Sequence, residues 1–327
     1  MPRANEQKIK LLVLYDILQR ETDEEHPLST NEIIERLSAR GIEVSRKILP
    51  GDIALLNKYG FEILSYKKKS HYYYVAYRPF DIAELKVLID AVQAATFISE
   101  SKTEGLVNRL ASMAGEKQAE KLKQNFICYD TVKKDSKYIF YYIDEIERAI
   151  EQGNKISFCY CYLTYKAERK YRKDGQRYMV SPLALVYSRE NYYVVCYDNN
   201  HKGCANYRID RIADLRIEPE RIDQRADFEN LNINTYRRQA FSMYNGELTE
   251  VQLTVHEDLI EEIFDKFGEK TKLYPQGEEY YTTVVSVQVS PAFFRWVIGS
   301  IGKIKIYSPR QIKEQFDAYV DKVKENY

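Results

Sequence analysis

Two arginines close to a run of aromatic residues form the cluster best suited to binding an anion. Tyr192–Asp198 reads YYVVCYD, which is typical of a buried β-strand, and ten residues later the chain reads RIDRI. Arg208 and Arg211 stand three residues apart in that second run. A guanidinium presents its N–H groups as a planar fork that binds carboxylate or phosphate oxygens in pairs. The pattern therefore predicts a site for an anion or a phosphate edge.

The cysteines are the other candidates for chemistry. Four of the five, together with His201, lie between residues 159 and 204. They could form a metal or redox site, or they could be buried thiols. Cys159 and Cys161 are separated by a single residue, whereas zinc sites usually place two to four residues between paired cysteines. No metal is predicted. The odd number of cysteines argues against a disulfide framework and for a reducing cytoplasm.

Composition excludes several classes of protein. The 49 basic and 49 acidic side chains cancel, so net charge indicates no particular partner. The sequence lacks a run of eighteen apolar residues and begins with a polar segment, so neither a membrane span nor a signal peptide is predicted. The four histidines are scattered, and the sequence has no glycine-rich phosphate loop and no Ser/His/Asp arrangement. We expect a cytoplasmic protein that is not an enzyme and needs no cofactor.

The first 78 residues combine three predicted helices with a β-hairpin. Glu6–Arg20 has the apolar spacing of an amphipathic helix, and residues 29–32 form a capping box at the start of a second helix. A third helix is predicted to begin near Ser45. Its predicted inward side chains are Ile48, Leu55, Leu56 and Tyr59. Residues 61–64 and 72–75 then read as strands joined by a cationic turn, which completes the order of a winged helix-turn-helix domain.

Basic residues concentrate in the second half of this region. Residues 46–78 contain seven lysines and arginines but two acids, the excess expected of a surface that contacts phosphates. The alternative is a hairpin whose lysines are merely solvated. The three correctly spaced helices before the hairpin favour binding to double-stranded DNA. The predicted DNA contacts come from Ser45, Arg46, Lys47, Lys67, Lys68 and Lys69.

Pro50 and Gly51 complicate the third helix. If Ser45 caps the helix, Pro50 removes a backbone hydrogen bond and clashes with the carbonyl of Arg46. Either the helix begins late, near Leu49 with Pro50 as its first residue, or it is kinked. Gly51 offers no side chain to a base edge, so phosphate contacts are expected to dominate over base readout.

The rest of the chain changes from helical to strand periodicity and then mixes the two. Three amphipathic helices are predicted between Asp81 and Ile150, a region that could pair two copies or merely cover a core. From residue 155 to residue 217, five short strands predict a small, strongly bent barrel. Residues 251–324 follow a βαββαβ order with an added helix, which predicts a ferredoxin-like layer.

Segment 155–217 resembles the WYL domain, an SH3-like or Sm-like barrel named after a Trp-Tyr-Leu run that stands here as Tyr192-Tyr193-Val194. The matching patterns are IxFxY from Ile156, VSPLxL from Val180, YYVVxYD from Tyr192 and YRIDRI from Tyr207. The resemblance implies that the barrel binds a ligand, often nucleotide-like or nucleic acid, which controls a DNA-binding head. The residues implied to line the ligand site are Tyr160, Ser181, Tyr193, Arg208 and Arg211.

The sequence leaves the identity of the ligand and the pairing of the two arginines undecided. Ser181 stands where many relatives have a histidine before the proline, so the resemblance leaves the identity of the ligand undecided. Arg208 either contacts the ligand or forms an ion pair with Asp198 or Asp210, and internal pairing is also an alternative for Arg211.

The flanking segments extend the resemblance to nearly the whole chain. SRKILPGDI at residues 45–53 is similar to the third helix of the winged head that usually precedes a WYL domain, although the family's usual arginine before the aspartate is Gly51 here. FFRW at residues 293–296 resembles the C-terminal extension of many WYL proteins. The predicted fold class is α+β multidomain. Its parts are a winged helix-turn-helix domain (1–78), a helical linker or dimerisation region (79–152), a WYL barrel (153–220), a linker (221–247) and a ferredoxin-like domain (248–327).

These features predict a ligand-responsive transcriptional regulator that binds double-stranded DNA as a homodimer. A ligand in the barrel would change the spacing of the two heads. The alternative is an accessory protein that binds single-stranded nucleic acid, for example in a phage-defence system, and exerts little sequence-specific gene control.

Overall fold

The computed structural model describes residues 4–124, 133, 138–188, 190–198, 203–223, 236 and 238–326. The chain divides into two units, residues 1–136 and residues 137–327. Each unit is a mixed α/β structure in which helices accompany antiparallel sheets. Within the described residues, no helix has both the length and the apolar character needed to cross a membrane.

The first unit begins with helices around a small sheet. Its elements are α1 (Ala4–Glu21), β1 (Leu28–Ser29), α2 (Thr30–Ala39), α3 (Leu49–Lys58), β2 (Ile63–Lys67), β3 (His71–Val75), α4 (Ile82–Ala94), α5 (Glu100–Ser112) and α6 (Glu116–Gln124). The strands form an antiparallel sheet in the order β1-β3-β2. Apolar side chains of α1, α2, α3 and the sheet pack into one core. The predicted capping box of α2 is confirmed, because Ser29 and Glu32 exchange hydrogen bonds with each other's backbone N–H groups.

The third helix differs from its prediction. It begins at Leu49 with Pro50 in the first turn, and Ser45 does not cap it. The late start is therefore confirmed and the kinked alternative is wrong. Leu49, Ile53 and Leu56 form the buried face at positions i, i+4 and i+7. The predicted inward positions of Ile48, Leu55 and Tyr59 are wrong, since all three side chains are exposed. Ile48 and Leu55 each stand one residue before a buried position and so lie on the neighbouring face of the helix, and Tyr59 lies beyond its end.

Arg78 is part of the framework of the first unit. Its Nη2 donates to the carbonyl oxygens of Gln19 at 2.8 Å and Thr22 at 2.7 Å, and its Nη1 donates to that of Met113 at 3.1 Å. These carbonyls end helices and would otherwise lack donors. Arg78 therefore ties the end of α1 to the end of α5, and it is not available to a phosphate.

The second unit begins with α7 (Ile139–Gln152) and a curled six-stranded sheet. Its strands are β4 (Asn154–Leu163), β5 (Arg169–Tyr171), β6 (Tyr178–Ser188), β7 (Asn191–Asp198), β8 (Gly203–Arg208) and β9 (Ile212–Arg221). The order is β5-β4-β6-β7-β8, with β9 on the other side of β4. Register shifts between β4 and β9 and between β6 and β7 bend the sheet. Five strands were predicted, and β5 is the additional one.

The last part of the second unit follows the predicted order of elements closely. It contains β10 (Glu247–His256), α8 (Ile260–Phe267), β11 (Tyr274–Pro275), β12 (Tyr280–Val289), α9 (Pro291–Gly299), β13 (Ile304–Ser308) and α10 (Arg310–Lys324). The sheet order is β11-β12-β10-β13, and all neighbours are antiparallel. The apolar faces of α8, α9 and α10 pack with this sheet into a separate core.

Replacing Gly246 with alanine is expected to destabilise this layer by about 3 kcal/mol, because the added methyl group has no room. A Cβ on Gly246 would lie 1.8 Å from the carbonyl oxygen of Val289, where β10 and β12 begin to pair. The matched control is Gly299→Ala at the end of α9, where a Cβ meets nothing within 4 Å. Urea unfolding measures both. Equal midpoints for the two variants would contradict the close approach at Gly246.

Candidate functional site

Four aromatic rings form the floor of the candidate ligand site in the curled sheet. Phe158 stacks on Tyr178 with ring centroids 5.7 Å apart, and the ring of Tyr207 meets Phe158 edge-on at 5.0 Å. Tyr160 meets Tyr178 at 6.0 Å and Tyr207 at 5.3 Å, also edge-on. Edge-to-face and offset contacts at these distances are favourable for aromatic pairs. The cluster makes a rigid base at the point where β4, β6 and β8 come together.

The hydroxyl groups of Tyr160 and Tyr207 in this cluster are fixed by hydrogen bonds. The hydroxyl oxygen of Tyr160 accepts from the backbone N–H of Arg208 at 3.0 Å. Burial raises the pKa of the Tyr160 hydroxyl, while that N–H donor and the positive charge of Arg211 oppose the rise. Tyr207 donates to the carboxylate of Asp198 at 3.2 Å, and burial followed by that negative charge raises the pKa of Tyr207. Both tyrosines therefore stay neutral across the physiological pH range.

Arg208 forms an ion pair with Asp210 and not with Asp198. Its Nε donates to Oδ1 at 3.0 Å and its Nη2 to Oδ2 at 2.6 Å, a bidentate arrangement. Burial would lower the pKa of Arg208, but the hydrogen bonds and charge of Asp210 outweigh it and raise that pKa. Asp210 is almost fully buried, with 7% of its side chain exposed. One bidentate edge of the Arg208 guanidinium, two of its five N–H groups, is thus used internally.

Arg211 is the arginine whose guanidinium is free to bind an anion. Its side chain is half-buried, and among the described residues it makes no hydrogen bond and no ion pair. It directly precedes Ile212, which pairs with Tyr160 between β9 and β4, so Arg211 lies at the edge of the aromatic floor. A half-buried guanidinium with free donors beside aromatic rings is suited to an oxyanion such as a phosphate.

Two further cations lie at this rim that were not among the predicted ligand residues. The guanidinium carbon of Arg172 lies 5.8 Å from the ring centre of Tyr160, and Nζ of Lys173 lies 4.4 Å from that of Tyr178. Both distances are within the range of cation–π attraction. The signal in the sequence was the basic run 169–173, which precedes the turn at Gly175. With Arg211, these side chains place three positive charges around the floor.

Ser181 and Tyr193 are placed differently from the other predicted ligand residues. Ser181 is fully buried; its hydroxyl donates to Asp223 at 2.9 Å and accepts from the backbone N–H of Asp223 at 3.1 Å. Tyr193 pairs with Arg208 across β7 and β8 but packs in an apolar cluster with Tyr236 and Met243. The structure therefore brings Tyr160, Arg208 and Arg211 together, and places Ser181 and Tyr193 in the packing around them.

The predicted DNA contacts of the first unit are all exposed. Ser45, Arg46 and Lys47 lie in the segment before α3, and the other three residues lie at the tip of the β2–β3 hairpin (Lys67–Lys69). None of these five cations makes an ion pair within the described residues. Asn57 connects α3 to the start of β2, since its side chain donates to the carbonyl of Ile63 at 2.9 Å and accepts from the N–H of Ile63 at 2.8 Å. The described part of the chain holds no cluster of His, Cys, Asp and Glu suited to a metal ion.

Comparison with known families identifies the domain that carries the candidate ligand site. Residues 141–217 match the WYL domain, so the chain contains a WYL domain formed by α7 and most of the curled sheet. This confirms the resemblance for that segment. No curated protein matches the chain.

Two solved structures are similar to the chain over most of its length. One is proteasome accessory factor B/C (PafBC) of Arthrobacter aurescens, with 18% identity, 97% of this chain and 48% of that chain covered, and a TM-score of 0.28. The other is a CRISPR Cas-related protein, with 13% identity, 99% of this chain and 87% of that chain covered, and a TM-score of 0.35. The chain thus spans about half the length of the first structure.

Proposed function

We propose that the protein is a cytoplasmic, ligand-responsive transcriptional regulator. In this proposal the first unit is a winged helix-turn-helix head that binds double-stranded DNA, and the WYL domain binds a nucleotide-like or nucleic-acid ligand. The end of the chain is a ferredoxin-like layer, and two copies pair so that two heads contact one operator. The observation that carries the proposal is the set of five exposed cations before α3 and at the hairpin tip, none in an ion pair within the described residues.

The ligand site adds the regulatory half of the proposal. Arg211 and the aromatic floor offer an anion a fixed, partly desolvated position, where charge-assisted hydrogen bonds are strong. A ligand regulates DNA binding only if it binds one arrangement of the protein more tightly than another. The proposal therefore requires that occupation of the WYL domain changes the affinity of the head for DNA.

Fluorescence anisotropy with a labelled duplex from the protein's own promoter tests the proposed binding to double-stranded DNA. A scrambled duplex and a single strand run alongside it at several salt concentrations. Tight binding that prefers the promoter at physiological salt supports the regulator. Addition of thymidine dinucleotide (pTpT) or adenosine monophosphate then tests whether a ligand in the WYL domain changes the affinity for DNA. An unchanged DNA affinity with a saturated WYL domain would contradict the proposed coupling between ligand and DNA binding.

A second function is favoured by the exposed surface of α3. The exposed residues of its first two turns are Pro50, Gly51, Ala54 and Leu55, none of which has a hydrogen-bonding side chain of the kind that reads base edges. Of the exposed residues at its end, Asn57 is engaged by the backbone of Ile63, which leaves Lys58. A head of this kind binds phosphates with little sequence preference. The corresponding function is an accessory protein that binds single-stranded nucleic acid. Stronger binding to the single strand than to any duplex would establish it in place of the regulator.

Changing Lys67, Lys68 and Lys69 together to glutamine is expected to weaken duplex binding and to reduce its dependence on salt. If all three contact phosphates, the slope of log K against log salt falls by about 2.7, at about 0.9 per contact. The control changes Lys86, Lys117 and Lys121, which lie on α4 and α6; two of them already pair with acids. Anisotropy titrations at four salt concentrations measure the slopes. An unchanged slope in the hairpin variant would exclude it from the DNA interface.

A further inference from the structure

In the C-terminal layer, β12 has one edge that is uncovered over most of its length. On its other side β12 pairs with β10 along the whole strand, without a register shift. On the uncovered side β11 pairs only with Tyr281 and Thr282. Within the described part of the chain, no strand lies beside residues 283–289 on that side. An uncovered strand edge presents backbone groups that can pair with another chain.

The direction of the backbone groups shows which residues offer hydrogen bonds at this edge. The carbonyl oxygen of Tyr280 accepts from the N–H of Gln276 at 2.7 Å, so it points to the side of β11. Alternate residues of a strand direct their N–H and C=O groups to the same side, so those of Val284 and Ser286 also point there. Neither residue has a hydrogen-bond partner on that side among the described residues. Both residues can therefore pair with an added strand.

The free edge is bounded at both ends. β11 closes one end, and at the other the side chain of Gln288 is buried and hydrogen-bonded to the hydroxyl of Tyr236. The opening between them covers residues 283–287. At about 3.4 Å per residue it is about 17 Å long, which accommodates an extended segment of about five residues.

The β12 edge lacks the features that protect the opposite edge of the same sheet. Strand β13 at that opposite edge is short, carries the exposed Lys305, is followed by Pro309 and pairs with β10 through a register shift. Lysines, prolines and bulges are the usual means by which proteins prevent unwanted pairing at an edge. Residues 282–289 of β12 read TTVVSVQV, without a charge or a proline. This edge is therefore suited to pairing with another strand.

A cleft of about 570 Å³ lies along the free edge and is lined by basic side chains. Arg238, Lys270 and Lys272 line it, whereas no described Asp or Glu does. All three cations are exposed, and none forms an ion pair within the described residues. A Cβ on Gly268 would lie 3.3 Å from Nη1 of Arg238, so this guanidinium lies at the end of α8, where helix carbonyls favour a positive charge. The cleft therefore favours an acidic occupant.

A fixed turn between α8 and β11 carries the two lysines. The N–H and the hydroxyl of Thr271 donate to the carbonyl oxygen of Gly268 at 3.0 and 2.7 Å. Thr271 stands between Lys270 and Lys272, so these bonds fix the backbone from which both lysines project. A second copy of the same edge is a poor occupant, because pairing two such edges would bring both sets of three cations together.

The open face of the sheet adds an apolar surface to the cleft. Val284 and Tyr274 both line the cleft, with 60% and 58% of their surface exposed. Tyr274 is opposite Thr282 and therefore shares a face with Val284. Successive side chains of an added strand would alternate between this open face and the face where α8 ends. The cleft thus fits a segment whose apolar and acidic residues alternate.

We propose that the free edge of β12 is a docking site for an extended acidic segment of another protein, in which acidic and apolar residues alternate. The segment adds a strand to the sheet by pairing with the backbone of Val284 and Ser286. Its acidic side chains contact the three cations of the cleft, and its apolar side chains pack on the open face. The site lies in the C-terminal layer and requires neither the proposed DNA binding nor the proposed ligand binding.

Anisotropy of the full-length protein with the fluorescein-labelled peptide VEVDVEV tests the charge of the site. The triple variant R238Q/K270Q/K272Q is expected to weaken binding about tenfold, since each exposed ion pair contributes modestly. The matched control K305Q/K313Q/K322Q removes three exposed lysines elsewhere in the same layer and leaves binding unchanged. Circular dichroism melting of each variant establishes that it is folded. Equal losses in the two triple variants, or none in the first, would overturn the proposal.

Peptides N-methylated at alternate residues test the strand pairing separately from charge. An added strand directs every second N–H to β12, so one of the two methylated sets is expected to lose at least tenfold in affinity while the other binds within threefold of the parent peptide. Val284→Pro removes one N–H from the free edge, a position where proline is tolerated, and is expected to weaken binding to a similar extent. The peptide pair decides the outcome even if this variant does not fold.

The remaining outcomes distinguish the site from its alternatives. Poly-glutamate that binds as tightly as VEVDVEV, or equal effects of the two methylated sets, would reduce the site to non-specific attraction and overturn it. Displacement of the peptide by (dT)12 at lower concentration than by unlabelled VEVDVEV would overturn it in favour of a nucleic acid. A dimer in sedimentation that Val284→Pro abolishes would overturn it in favour of a second copy. Unchanged peptide affinity in K67Q/K68Q/K69Q is expected, because the site is independent of the proposed DNA interface.

Discussion

Replacing Arg208 with alanine is expected to lower the free energy of unfolding of the second unit by about 3 kcal/mol. The loss follows from Asp210, whose buried carboxylate accepts two hydrogen bonds from the Arg208 guanidinium. Removing one partner of a buried ion pair leaves the other charge in a medium that solvates it poorly. Urea unfolding followed by circular dichroism measures the loss.

Arg211→Ala is the matched comparison, because it removes the same chemical group three residues away. Arg211 has no ion-pair partner among the described residues, so the variant is expected to unfold within about 0.5 kcal/mol of the wild type. Its effect falls on binding of an anionic ligand such as pTpT. Arg208→Lys keeps a charge but loses the bidentate fork, and it is expected to lie between the two in stability. An Arg208→Ala variant as stable as Arg211→Ala would show that the Asp210 pair does not hold the site together.

Asp52→Ala is expected to destabilise the first unit by about 3–5 kcal/mol, because it leaves a buried ammonium group without its counter-charge. Nζ of Lys10 donates a hydrogen bond to Oδ1 of Asp52 at 2.8 Å and lies 2.7 Å from Oδ2, which makes no hydrogen bond. The two side chains are only 10% and 12% exposed. The pair joins α1 to α3, so its loss also loosens the helix proposed to contact DNA. Thermal unfolding and duplex binding measure the two effects.

The double variant K10M/D52L provides the control for Asp52→Ala. Replacing both charges with apolar groups of similar size removes the unpaired charge, and such replacements are often neutral or stabilising. The double variant is therefore expected to recover most of the stability lost in Asp52→Ala. A double variant as unstable as Asp52→Ala would mean that the aspartate acts through α3 itself and not through Lys10.

Features that depend on near neighbours in the chain were determined by the sequence alone. The capping box of Ser29 and Glu32 joins residues three apart, and the apolar spacing of α1 reflects the helical repeat. The strand β7 and the order of elements in residues 251–324 follow from alternation and from short turns. The WYL segment was recognisable because its patterns lie within these same elements. Even the late start of α3 was one of two alternatives set by Pro50.

Only the tertiary structure decided which arginine side chains are free to bind an anion. Arg208 and Arg211 are the same residue type in one short segment, but the packing of Asp210 engages the first and leaves the second free. In the sequence, Arg78 is one of the seven basic residues assigned to a phosphate-contacting surface. In the structure its guanidinium is bonded to carbonyl oxygens at the ends of two helices. Arg172 reaches the ligand site only because β5 folds back on β4 and brings it over Tyr160. The partners of Arg78 and Arg172 are distant in the chain, so local patterns carry no information about them. Asp210 is only two residues from Arg208 and was one of the alternatives that the sequence offered, but only the folded chain shows which alternative forms.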